Sequence, residues 1–329
     1  MSPSFNTTSR YRNSFIWDAH AGFSPFTGRD LHCLKRWKDA GVGHVSINVG
    51  YDMMRWDETL ACVAHYRRWF SEHSNEFLLV ERFEDLRLAK NAGKLSVTFD
   101  LEGANALNHS VDMIGVYHQL GVRQMNLAYN RNNAFGGGCH DEDIALTDLG
   151  KRTIAEMNRV GMMVDCTHTG YRTSMDVMAL STKPVIFSHS NAFGTYAHPR
   201  NLRDDQIRAC AATGGIVCVN GVSTFVDGHL GSIQSLVDHI DYIVSLVGTN
   251  HVGIGLDTVV DPDEMPRLAR KFPAAWPDYD ESDWAAMKFA VPEQLNGIAE
   301  ELAIRQYSAT ELSAIIGGNM LRVASNIWR

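Results

Sequence analysis

Eight short apolar runs recur along the chain, and each ends in a side chain that can bind a metal, donate a hydrogen bond or move a proton. They span 15–18 leading to His20, 45–48, 95–100 leading to Glu102, and 124–127 leading to Tyr129. Then follow 162–165 leading to His168, 184–189, 215–220 and 252–257. Runs this short read as buried strands. A parallel barrel gathers the C-terminal ends of its strands on one face, where active sites sit. The pattern predicts a (β/α)8 TIM-type barrel whose site is built from the run ends.

The intervening segments have helical spacing. Asp30 to Ala40 carries Leu31, Leu34 and Trp37 on one face, and residues 57–92 hold one or two helices with a connecting segment. Val111 to Leu120 ends at Gly121, and the pattern opened by Thr147 closes at Gly161, as helices commonly do. Residues 171–181, 203–213 and 232–248 fill the next gaps. Strand–helix alternation implies parallel strands joined by right-handed crossovers. A doubly wound open sheet is the alternative, and eight runs of similar grammar favour the barrel. A last helical pattern, Ala309 to Trp328, is interrupted by Gly317-Gly318. Residues 261–283, rich in Pro, Asp and Trp, look like an insertion near the site mouth. The chain, 1–329, reads as one domain.

Composition narrows the class. Hydrophobic content of 45% with 21% charged residues is that of a soluble globular protein. A formal net charge of −8 argues against a general nucleic-acid or membrane-surface binder. No apolar run is long enough to span a bilayer. Met1 to Arg12 is polar, which argues against a secretory leader. Six cysteines without paired spacing read as reduced thiols of a cytoplasmic protein.

The candidate chemistry lies at the run ends. A lone His there is usually a satisfied structural residue. His168 and His189 on adjacent strands, with Glu102 and His20 ending two others, form the donor set that zinc and similar divalent ions prefer. A carboxylate such as Glu102 can bridge two ions. Asp257 can move a proton, or it can be a helix cap or salt bridge. Arg200, followed by Asn201, can clamp a substrate carboxylate bidentately, or can pair at the surface.

These motifs resemble a known family. Phe187-Ser188-His189-Ser190-Asn191-Ala192, then Arg200-Asn201-Leu202, are similar to the renal-type membrane dipeptidases. So are Leu101-Glu102-Gly103, Asp165-Cys166-Thr167-His168, Gly253-Ile254-Gly255-Leu256-Asp257 and Gly318-Asn319-Met320-Leu321-Arg322-Val323. The resemblance runs from Trp17 to Val323. It implies a metal-dependent barrel, often a homodimer, that hydrolyses dipeptides through a metal-activated water. It also implies roles. Glu102 bridges two zinc ions, His168 and His189 complete one, and His20 binds the other. Arg200 and Asn201 hold the substrate, and Asp257 is the acid/base.

Two positions depart from the family pattern. His-x-Asp at the first strand is His20-Ala21-Gly22 here, so the ion beside His20 loses a carboxylate and that site is weakened. Asp18 stands two residues back, about 7 Å along a strand. Cys139 and His140, after Gly136-Gly137-Gly138, are loop candidates for the missing donor. Tyr129 stands where the family has a substrate-contacting His, and can still donate one hydrogen bond. A metal-dependent dipeptidase is the leading reading. The alternatives are a one-ion enzyme for a non-peptide small molecule and a non-catalytic binding homologue.

Overall fold

The computed structural model describes residues 14–22, 25–261, 263–276 and 279–328. The polar segment Met1 to Arg12, and Pro262, Pro277 and Asp278 of the 261–283 segment, lie outside the described residues.

Each of the eight apolar runs forms a strand, and the strands are parallel. In chain order these are β1 (Trp17–Ala21), β2 (His44–Tyr51), β4 (Leu95–Glu102), β5 (Val122–Asn126), β6 (Met163–Asp165), β7 (Val185–Phe187), β8 (Ile216–Val219) and β9 (Val252–Ile254). They pair in the order β1-β2-β4-β5-β6-β7-β8-β9. The residues after β9 turn back to the first strand: Asp257 N donates to His20 O at 3.1 Å, and Gly22 N to Thr258 O at 3.2 Å. The result is a nearly closed eight-stranded barrel. One strand was not foreseen. β3 (Phe77–Leu79) lies between two helices of the 57–92 segment, Trp56–Glu72 and Glu84–Asn91, and pairs with the lower half of β4.

Alternation along the strands divides the interior from the helix-facing side. On β2, Val45, Ile47 and Val49 join the large core with helix residues such as Trp37, Val63 and Tyr66. The intervening His44, Ser46 and Asn48 pair with polar side chains of β4: Ser96, Thr98, Asp100 and Glu102. A polar ladder therefore climbs one wall of the barrel towards its C-terminal end. The opposite wall is apolar, with Met163, Ile186, Ile216 and Cys218 in one cluster with Trp17 and Ala19.

Helices cover the outside at the expected places. Thr147 Oγ1 accepts from Gly150 N and starts Asp148–Val160; Gly161 at φ +87° ends it, a conformation that costs a side-chain-bearing residue more. The expected helix 30–40 is a short 3₁₀ turn, Leu31–Leu34, followed by Lys35–Asp39. The C-terminal pattern breaks at Gly317, where a Cβ would sit 2.1 Å from Phe15 O. The final helix, Asn319–Ile327, then places Trp328 against Trp17, ring centres 5.4 Å apart, plugging the N-terminal end of the barrel. At the other end, helix Glu264–Lys271 and the 3₁₀ turn Pro273–Ala275 bring Met265 and Trp276 against Tyr51, Tyr129 and Val259.

Candidate active site

β1 and β2 each carry an irregularity before they reach the site. The β1–β2 register shifts by one residue between Asp18 and Ala21, and the β2–β4 register shifts between Asn48 and Tyr51. Bulges of this kind re-aim side chains. Asp18 thus faces away from the site: its Oδ2 accepts from Trp37 Nε1 at 2.7 Å and its Oδ1 from Leu256 N at 2.9 Å. These bonds agree with the two-residue offset along the strand in keeping Asp18 from standing in for a side chain at Gly22.

His20, His168 and His189 converge on Glu102, and all four are buried. His20 Nε2 lies 3.3 Å from Glu102 Oε1; His168 Nε2 and His189 Nε2 lie 3.0 and 3.8 Å from Oε2. His20, Glu102 and His189 can offer their donor atoms to one ion. Each ring turns Nε2 inward because a side chain holds its Nδ1. His20 Nδ1 is 3.3 Å from Asp100 Oδ2, and Ser46 Oγ donates to that same oxygen at 2.7 Å. His168 Nδ1 meets Asn130 Oδ1 at 2.6 Å, and His189 Nδ1 meets Ser188 Oγ at 2.8 Å. Arginine can only donate, so the 3.1 Å contact from Arg200 Nη2 marks His168 Nε2 as a lone-pair acceptor with its proton on Nδ1. Orientation of a ligating imidazole through its second nitrogen is the usual support of a metal site.

The donor set therefore fits a divalent cation. His20 Nε2 is buried without a hydrogen-bond partner among the described residues, and the Nε2 atoms of His168 and His189 face one another at 3.0 Å. Electrostatics agree. Burial would lower the His20 pKa, but the carboxylates of Asp100 and Glu102 outweigh it and hold it well above the ordinary value, so the place beside them favours a positive charge, and an ion bound there would take the place of the His20 Nε2 proton. Burial would raise Glu102, yet the neighbouring His20 and His168 keep it well below the carboxylate range. Burial, aided by Arg200, lowers His168 to about 3, and burial lowers His189 too. These two rings are neutral, as ligands must be.

The cleft above the cluster is lined by Gly22, Tyr51, Glu102, Tyr129, His168, Arg200 and Asp257. Asp257 adopts φ +57° and His168 φ +65°, sparsely populated conformations that cluster at functional sites. Asn220 Nδ2 donates to Asp257 Oδ2 at 2.9 Å. Arg200 is buried over the Phe225 ring, with Nη1 donating to Ser190 Oγ at 3.3 Å. The Tyr129 ring lies 4.2 Å from that of His168. Asn201 is not brought to the cleft. Its amide nitrogen donates to the Tyr196 and Phe225 carbonyls and ties the loop, while its buried Oδ1 accepts no hydrogen bond from the described residues. Cys139 packs on Asn130, His140 lines the rim, and neither joins the histidine–carboxylate cluster.

Several supporting groups were not singled out from sequence: Ser46, Asp100, Asn130, Ser188 and Asn220. The available signal was their place at or beside the run ends. Of the aromatic walls, Trp276 lies in the Trp-bearing segment 261–283 expected near the site mouth, whereas Trp284 and Phe289 had no sequence signal.

A nearly closed parallel barrel with a histidine–carboxylate centre at its C-terminal end is a metallohydrolase-type architecture. The chain belongs to the family described as membrane dipeptidase (Peptidase family M19), whose model matches residues 40–268. An uncharacterised dipeptidase of Schizosaccharomyces pombe is 31% identical over 287 residues, 82% of this chain and 67% of that protein. Across the first three curated relatives the chain spans 52 to 67% of their length. Among solved structures, an amidohydrolase from Pseudomonas aeruginosa matches with TM-score 0.88 at 24% identity, covering 98% of this chain and 99% of that one. A metallo peptidase from Rhodobacter sphaeroides, solved with a phosphinate mimic of L-Ala-D-Ala, matches with TM-score 0.79 at 20% identity over 96% of this chain and 100% of that one. Both likenesses are of fold.

Proposed function

We propose that this chain is a metal-dependent dipeptidase. The observation that carries the reading is the convergence of three imidazole Nε2 atoms on one buried carboxylate, with each Nδ1 held from behind. Family membership and the retained Glu102, His168, His189 and Asp257 support it. His20 and Glu102 would hold one ion, and Glu102, His168 and His189 the other. The mixed nitrogen and oxygen donors suit zinc. When bound, such an ion acidifies a water and polarises the scissile carbonyl.

The chain's own groups supply the rest. Arg200 binds the substrate carboxylate, and its Nε has no partner among the described residues. Tyr129 donates a hydrogen bond to the carbonyl oxygen; burial raises its pKa well above the ordinary value, so it keeps its proton. Asp257 takes a proton from the attacking water and passes it to the departing amine. Burial raises its pKa as well, which suits a group that must alternate between protonated and charged forms. Tyr51, Trp276, Trp284 and Phe289 give the cleft apolar walls, which favour dipeptides with bulky apolar side chains over charged ones.

The test is a panel of L–L and L–D dipeptides offered to metal-stripped protein before and after reloading with zinc. The reading requires cleavage that returns with the metal and is best on aromatic or aliphatic members. Metal-replete protein that cleaves none would sink it. Six cysteines, four of them buried, support a cytoplasmic, reducing compartment. A homodimer follows the family resemblance, and sedimentation tests it.

A further inference from the structure

The first strand is followed directly by Gly22, which offers no side-chain donor to an ion beside His20. That vacancy is filled in space. A Cβ built on Gly22 would lie 1.9 Å from Asp257 Oδ1 and 3.1 Å from its Cγ. The Asp257 carboxylate therefore occupies the room that any side chain at position 22 would need.

Asp257 is fixed there from several directions. Its N donates to His20 O at 3.1 Å, and the neighbouring Gly22 N donates to Thr258 O at 3.2 Å, so β1 and the end of β9 share one backbone frame. Asn220 Nδ2 donates to Oδ2 at 2.9 Å. Asn220 is itself clamped: its N donates to Asn191 Oδ1 at 3.0 Å, and Asn191 Nδ2 donates to its carbonyl at 3.1 Å. With Oδ2 so engaged, Oδ1 stands 3.6 Å from His20 Nε2. That Nε2 is buried without a hydrogen-bond partner among the described residues and is also 3.3 Å from Glu102 Oε1.

We propose that Asp257 Oδ1 replaces the missing carboxylate of the first strand, so that His20, Glu102 and Asp257 together hold the ion on that side of the centre. The inference rests on the metal-dependent reading above. Gly22 then has a definite job: its missing Cβ admits the carboxylate of the last strand. A donor lost from one strand is compensated by its neighbour across the barrel seam, and the ion keeps two carboxylates rather than one. The two oxygens of Asp257 divide their work: Oδ1 would face the ion, while Oδ2, steadied by the Asn220 amide, keeps a lone pair for the proton transfer proposed above.

The test is zinc affinity, read without substrate by competition with a chromophoric chelator, together with the visible spectrum of cobalt-loaded protein. Asp257→Ala should weaken the ion beside His20 by at least about tenfold and change the cobalt bands, while the ion of His168 and His189 keeps its affinity. Gly22→Ala should weaken the same ion although alanine bears no donor, because its Cβ displaces the carboxylate. The double variant Gly22→Asp with Asp257→Ala should regain affinity. A thermal melt distinguishes misfolding in Gly22→Ala, and Asp257→Ala removes atoms only. Wild-type affinity and unchanged cobalt bands in Asp257→Ala would overturn the assignment while leaving the dipeptidase reading intact. Wild-type protein that takes up no ion at saturating zinc would overturn that reading and this assignment with it.

Discussion

The barrel interior holds histidines at both ends, and they live in opposite surroundings. At the N-terminal end, His44 of β2 is fully buried beneath Trp17, ring centres 4.0 Å apart. Its two nitrogens meet the Ser96 and Thr98 hydroxyls at 3.0 Å each, and burial drives its pKa down to about 3. At the C-terminal end, His20, His168 and His189 each use Nδ1 on a side-chain oxygen and turn Nε2 towards Glu102. His44 has both nitrogens satisfied and, among the described residues, no carboxylate paired with it. The other three keep an inward nitrogen for something positive. What separates the two sets is the second nitrogen: in the upper three its partner leaves the other nitrogen turned inward, fit to ligate.

The largest effect should come from removing the charge that organises the upper set. Glu102→Gln should lower zinc-dependent dipeptide turnover by about a thousandfold or more and deplete bound metal, as measured by steady-state assay and elemental analysis. Turnover at the wild-type rate would erase the distinction between the two ends.

The lower histidine should matter to stability instead. Its folded pKa is depressed, so below the unfolded value of about 6.5 the unfolded chain takes up a proton that the fold refuses. Stability is full above that value and falls by about 1.4 kcal/mol per pH unit as the pH drops towards about 3. In His44→Gln this contribution to the acid limb of denaturant-unfolding curves should be absent, and turnover at pH 7 should change little. An unchanged acid slope would contradict a neutral buried His44.

A smaller effect is expected at Tyr129. Tyr129→Phe should reduce kcat by about a hundredfold with metal content unaltered, since one donor to the carbonyl is lost. Loss of metal in that variant would instead make Tyr129 part of the ion's support. Smaller still, Asn201→Ala should act through loop order: a modest rise in KM and a lower melting temperature, with kcat within a fewfold of wild type, checked by kinetics and calorimetry.

Much of the fold was legible in the sequence because eight strands of a parallel barrel repeat one local pattern. Strand ends, turn glycines and the four residues of the candidate centre all sit on that pattern. What it left unread depended on distant contacts. β3 is three residues between helices and exists by pairing with β4. The bulges that turn Asp18 away and His20 inward appear only once β1 has a neighbour. Gly22 looked like a simple loss, and Cys139 and His140, on the loop after Gly136-Gly137-Gly138, were the loop candidates to repair it. The side chain that fills its space, Asp257, lies at the other end of the barrel sequence and arrives only through closure of the seam. Asn201 followed Arg200 in its motif, but the loop turns its amide to the Tyr196 and Phe225 carbonyls.

The most direct measurement is a zinc titration of metal-stripped protein followed by the ¹⁵N resonances of the histidine side chains. The account predicts that the Nε2 signals of His20, His168 and His189 shift as zinc binds, with Nδ1 remaining protonated, and that both His44 signals stay in place. Zinc uptake that leaves those three rings unmoved, or that shifts His44, would contradict it.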